Sequence, residues 1–224
     1  MKRLQFIFLF FVLSLLGCEE TSNSFYLDES KLVKVNCIHL NPIFLSGDAN
    51  QLHETLKNYP ELYENFYLRM IKAGEKDHLM YPDKIDSFTI PTLQHFLDDS
   101  SMKKIFNNIA TTFTDFRDYE EKISVGMANY STIFNAGITQ VQVGTFYSNF
   151  NATVLENDHI IWIGLDMYLG KDNDIVKMLP PNTFPNYYKQ KMDKKYIISD
   201  VFFSFLMTHH FKPMGDELLA RMLS

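Results

Sequence analysis

Ile160-Ile161-Trp162-Ile163 is an unbroken apolar run set behind Thr153-Val154-Leu155-Glu156 and the polar pair Asn157-Asp158. A run this short is read as a central strand covered on both faces, reached through a hairpin turn from the strand before it. Thr139-Gln140-Val141-Gln142-Val143 alternates as a half-buried strand does, and Val33 to Ile38 has the same period. Strands from residues 31–45, 139–148 and 153–166, separated by segments of helical period, predict an α+β fold. It would be built on one mixed or mainly antiparallel sheet. The helices carry single apolar faces and are expected to pack chiefly on one side of it.

The helical segments have legible boundaries. Asp48 opens the first, with Gln51 three residues on in a variant of the capping box, and Leu52 and Leu56 inward. Pro60 fits the first turn of a second helix over about 60–72, with Leu62, Tyr63, Phe66 and Met70 inward. Residues 73–90 read as a polar connection. Pro91 then starts a short helix carrying Leu93, Phe96 and Leu97, and Ser100 and Ser101 are placed to cap the next, with Ile105, Phe106 and Ile109 buried. A further helix runs from about Thr114 to Lys122 and toward Asn129. After the hairpin come a loop over Lys171–Asn186 and a helix over Lys194–Phe211, with Ile197, Ile198, Val201, Phe205 and Leu206 inward. Gly215 to Ser224 begins an amphipathic helix that stops after two turns, so a truncated C-terminus is expected.

The amino terminus has a different character. Lys2 and Arg3 precede an almost wholly apolar run from Leu4 to Leu16, followed by Gly17 and Cys18. The run is too short to span a bilayer, which needs about 20 residues, but has the length of a signal-peptide core. The order of basic, apolar and small residues before cysteine resembles the lipobox of bacterial lipoproteins. That resemblance implies a signal peptide over 1–17, cleavage before Cys18, and acylation of Cys18 with palmitate-class chains. Residues 18–30 would form a short tether, and 31–224 a single domain. Two of the 21 Lys and Arg residues leave with the signal, so 19 stand against 27 acidic residues in the mature chain. An acidic body disfavours phosphate-backbone binding, and no nucleic acid partner is expected. With Cys18 lipidated, Cys37 has no intramolecular disulfide partner, and its place in Val33–Ile38 is that of a small core residue.

Catalytic and metal motifs are weak. His53-Glu54-Thr55-Leu56-Lys57 begins like a zinc motif, but a lysine ammonium replaces the second imidazole. His209 and His210 are adjacent on a helix and point apart. Asp172-Asn173-Asp174 starts like a calcium loop but lacks the later ligands and glycine. Ser100-x-x-Lys103 has no companion motif. No metal, cofactor or catalytic residue is expected.

What remains is the block Trp162-Ile163-Gly164-Leu165-Asp166-Met167-Tyr168-Leu169-Gly170. The plainest reading makes Asp166 the cap of the next turn, with Gly164 and Gly170 at sharp turns. The block is followed by Leu179-Pro180, Pro185-Asn186-Tyr187 and a helix with Asp200. This succession resembles the gliding-motility lipoprotein GldB family of Bacteroidota, on Trp162, Gly164, Leu165, Asp166, Tyr168, Leu169 and Gly170. The resemblance implies a non-enzymatic lipoprotein supporting gliding motility and the associated surface protein secretion machinery. It would be held through the lipid at Cys18 to the inner or outer membrane, facing the periplasm, with other gliding or secretion proteins as partners. It also implies a distant likeness to a zincin-like metallopeptidase scaffold without its zinc motif. The alternatives are a divergent envelope zinc metallopeptidase and a passive polysaccharide-binding lipoprotein.

Overall fold

The computed structural model describes residues 32–63, 67, 70, 85–156 and 160–209. The expected signal segment over 1–17, Cys18, the expected turn at Asn157-Asp158, His159, His210 and the terminal segment 215–224 lie outside the described residues. So does most of the expected helix over 60–72.

The first strand, β1 (Lys34–His39), is shorter than expected, because Asn41–Ser46 turns into a helix, α1. Pro42 sits in its first turn, where its fixed φ is suited and its missing N–H costs nothing. Gly47 closes it at φ 68°, the left-handed region where glycine carries no Cβ penalty, donating its N–H to Phe44 O. Helix α2 (Ala49–Lys57) begins as expected: Gln51 N–H donates to Asp48 Oδ1 at 3.0 Å, and Leu52 and Leu56 are buried. A single turn, α3 (Pro60–Leu62), starts on Pro60, and Leu62 and Tyr63 are buried.

Two boundaries differ from the sequence reading. Helix α4 (Ile85–Asp98) begins six residues before Pro91 and runs through it. The packing of Thr89, Leu93 and Leu97, all buried, outweighs the one hydrogen bond that proline removes. Helix α5 (Ser100–Thr112) is capped by Asp99 instead of by the serines. Asp99 Oδ1 accepts from Ser101 N–H and Met102 N–H at 2.8 and 3.0 Å. Its inward residues Ile105, Phe106 and Ile109 are buried as expected. Helix α6 (Arg117–Phe134) is longer than the expected segment and ends on Asn135 at φ 49°.

The remaining strands are β2 (Gln140–Phe146), β3 (Val154–Glu156) and β4 (Ile160–Gly164), in the spatial order β1-β2-β4-β3. The fold is α+β with a mixed sheet. It is not mainly antiparallel: β1 pairs parallel with β2, β2 parallel with β4, and only the β3–β4 hairpin is antiparallel. The long helical segment between β1 and β2 supplies the crossover a parallel pair requires. Every residue of β4 is buried, in keeping with its unbroken apolar run.

Nor do the helices keep to one face. Gly144, Phe146 and Trp162 share one face by register, and Tyr59 and Tyr67 lie against it, with ring centroids 5.0 Å from Trp162 and 6.5 Å from Phe146. Phe44 of α1 and Phe106 of α5 stack behind them at 5.0 Å. The opposite face, with Cys37, Val143, Thr145, Ile161 and Ile163, is covered by α6 and α9 (Ile197–His209). Ser124 of α6 donates to Val33 O at 2.6 Å, and Tyr130 of α6 meets Phe205 of α9 edge to face at 5.0 Å. The reason is in β4 itself. A strand apolar on both sides needs cover on both sides.

Candidate functional site around the buried aspartate

The block that follows β4 is assembled by close backbone approach. Trp162 is 2% exposed and its ring lies on Gly144, where an added Cβ would come within 2.1 Å of ring carbon. At Gly164 a Cβ would meet the carbonyl oxygen of Ala152 at 2.1 Å and Ser148 Cβ at 2.8 Å. The Gly164 backbone has φ −78°, so glycine is required for closeness and not for a turn. Gly170, at φ +94°, does make a sharp turn, and its N–H donates to Met192 O at 2.7 Å.

Asp166 lies in a single 3₁₀ turn (Leu165–Tyr168) and is fully buried. It caps no helix. Its carboxylate reaches back across the sheet end to the loop after β2, accepting from Ser148 N–H at 2.7 Å, Ser148 Oγ–H at 2.9 Å and Phe150 N–H at 2.5 Å. Asn149 and Phe150 both have positive φ, 54° and 56°. For a bulky residue such as phenylalanine that conformation is rare and costs of order 1–3 kcal/mol. The carboxylate holds the loop in it by collecting the two N–H groups that the bend turns inward. Tyr67 adds a second tie, donating from its hydroxyl to Tyr147 O at 2.9 Å.

Burial pushes the Asp166 carboxyl up to about 6 from an ordinary 3.8, against the pull of its three donors. The folded chain therefore binds this proton more tightly than the unfolded chain. The group favours folding below about pH 4, and that contribution is lost as pH rises through about 6. Asp166→Asn removes the titration and sets an amide NH₂ against an N–H donor. Stability is expected to fall by about 1–3 kcal/mol, and the pH dependence of the urea midpoint between pH 4 and 6 to flatten relative to wild type.

Tyr168 links the block to α9: its hydroxyl donates to Asp200 Oδ2 at 2.8 Å. Burial raises the Asp200 carboxyl, while the Tyr168 hydroxyl and the Lys191 ammonium oppose that rise. Beside this pair runs a groove of about 680 Å³, walled by Thr153, Met167, Tyr188, Met192, Phe203 and Met207. Near the C-terminal end of α9, Glu156 of β3 meets His209 at 2.7 Å with its side chain only 1% exposed, and burial raises its carboxyl.

Every residue of the block is therefore buried or at a turn, and the structure joins Trp162, Gly164, Asp166 and Tyr168 to Gly144, Ser148, Phe150 and Asp200. Sequence reasoning missed the Ser148–Phe150 loop. Asn149, a residue that tolerates left-handed backbone, was the available signal. The motifs set aside on spacing have structural partners. His53 is buried against the Tyr63 hydroxyl, Glu54 pairs with Lys57 at 3.0 Å on the surface, and Asn173 caps helix α7 (Asp174–Met178) through Ile175 N–H. That short helix lies inside the expected 171–186 loop, and α8 (Asn186–Lys189) follows it.

The family described as gliding motility protein GldB matches the chain over residues 26–224. No curated protein and no solved structure matches it.

Proposed function

Since the chain belongs to the gliding motility protein GldB family, we propose that it is a non-enzymatic envelope lipoprotein. It supports gliding motility and, through the same machinery, surface protein secretion. The observation that carries this reading is the family match itself, which takes in the whole block from Trp162 to Gly170. The geometry of the block supports the non-enzymatic part. Asp166 is fully engaged by backbone and hydroxyl donors, and Tyr168 is committed to Asp200. These are the contacts of residues that hold a shape.

Attachment runs through lipid at Cys18, with the domain facing the periplasm. Among the described residues no helix is long and apolar enough to cross a membrane. Acyl chains contribute about 0.8 kcal/mol per buried CH₂, so several chains on one residue make a stable anchor. Partners are other components of the gliding and secretion machinery.

Deleting the gene is expected to abolish spreading on agar while leaving growth in rich liquid medium intact. Unimpaired spreading by the deletion strain removes the proposal. Proteolysis by the purified protein that a chelator suppresses would favour the metallopeptidase alternative instead.

A further inference from the structure

We propose that Cys37, His39 and Glu120 form a binding site for a thiophilic divalent cation, zinc being the fitting ion. Cys37 and His39 stand two apart on β1, which puts both side chains on the face covered by α6. Glu120 lies in the first turn of α6, above them. One sulfur, one imidazole nitrogen and one carboxylate oxygen from these residues all lie within 4.8 Å of one another. Small side-chain movements bring such a set to the distances of a tetrahedral zinc site, about 2.3 Å for sulfur and 2.0–2.2 Å for nitrogen and oxygen.

Three further features favour a cation over a chance cluster. His39 Nδ1 pairs with Thr145 Oγ1 at 3.0 Å, and Thr145 is 1% exposed. The tautomer that donates from Nδ1 to this hydroxyl turns the Nε2 lone pair toward Glu120, 3.7 Å away. Metal-bound histidines are oriented by this kind of outer hydrogen bond. Phe116 walls the imidazole edge-on at 5.7 Å. The site is also open on one side: the His39 side chain is 40% exposed and that of Glu120 28%. Three protein ligands with access to solvent leave a fourth position for water.

The proton balance is simple. The Cys37 thiol is the proton-bearing sulfur ligand of the set and lies beside the Glu120 carboxylate. A divalent cation takes the place of that proton: the S–H bond breaks, the sulfur–metal bond forms, and one proton leaves to solvent for each ion bound. No oxidant or reductant is involved. The site owes nothing to the helical spacings tested in the sequence, since its third ligand comes from 81 positions after His39.

The test uses the lipidated full chain, purified in detergent and stripped with a chelator, in which Cys37 is the one free thiol. Cobalt(II) titration is expected to saturate at one equivalent, with a thiolate-to-cobalt band in the near ultraviolet. One proton should be released per ion, and zinc should displace the cobalt. Cys37→Ser should remove the band, and His39→Gln and Glu120→Gln should each weaken binding at least about tenfold. Thr145→Val, which touches no ion, should weaken it about 10–100-fold while keeping the band. His39→Gln, at a position with its side chain 40% exposed, carries the test if Cys37→Ser does not fold. Absence of a thiolate band in the wild type, or tight binding unchanged by His39→Gln, overturns the proposal.

Discussion

Gly164→Ala is expected to be the most damaging single-methyl change in the domain. The added Cβ would lie 2.1 Å from the carbonyl oxygen of Ala152, a backbone atom with no rotamer by which to move aside. Relief requires the 148–152 loop to back away from β4, and that loop is held by Asp166 through Ser148 and Phe150. The Gly164 N–H also donates to Thr153 O at 2.9 Å, so moving the loop breaks a ladder bond. Overpacking of this kind costs about 3 kcal/mol or more, which for a domain of this size lowers Tm by roughly 10 °C.

The comparison with two other glycines sharpens the prediction. Gly144→Ala meets the Trp162 ring at the same 2.1 Å, but a side chain can tilt where a carbonyl cannot. Gly126→Ala meets the tip of Phe202, which is only half-buried and has room to rotate. The order of thermal destabilisation should therefore be Gly164 first, Gly144 second and Gly126 last. Equal melting temperatures for Gly164→Ala and Gly126→Ala would show that the 148–152 loop is not pinned as described.

Cys18→Ser is expected to abolish metabolic labelling with palmitate and to leave the uncleaved precursor in place. The thiolate is the nucleophile that takes the lipid, and a serine hydroxyl does not ionise near neutral pH. Cys37 cannot substitute for it. It sits in β1, half-buried beneath α6, with its thiol shifted far above neutral pH. Labelling that survived the substitution would place the anchor elsewhere in the chain. The folded domain should still be made, because its hydrophobic core is built from residues between Val33 and Phe205.

The parts of this fold that were legible in the sequence are those fixed by local pattern. Ile160-Ile161-Trp162-Ile163 announces a strand covered twice because no surface strand can hide four consecutive large apolar residues. Asp48 and Gln51 mark a helix start because the capping bond is formed within four residues. The direction of β2 against β4 was not legible. A hairpin was visible and suggested an antiparallel sheet, but whether β2 runs along or against β4 is decided by the path through the Ser148–Phe150 loop. Nor was the role of Asp166. A carboxylate after a strand looks like a cap, and only the fold brings it to N–H groups 16 and 18 positions earlier. The Cys37–His39–Glu120 group was hidden for the same reason, being split between a strand and a helix.

If the chain acts as a lipid-tethered member of the gliding machinery, motility depends on the tether, and the deciding measurement joins the two. A deletion strain is complemented from the native locus with either the wild-type gene or Cys18→Ser, and spreading on agar is measured beside palmitate labelling and protease resistance of the domain. Wild type is expected to restore labelling and spreading together. Cys18→Ser should yield a protease-resistant domain without label, in cells that do not spread. Full spreading by cells that carry only the unlabelled protein would contradict that dependence.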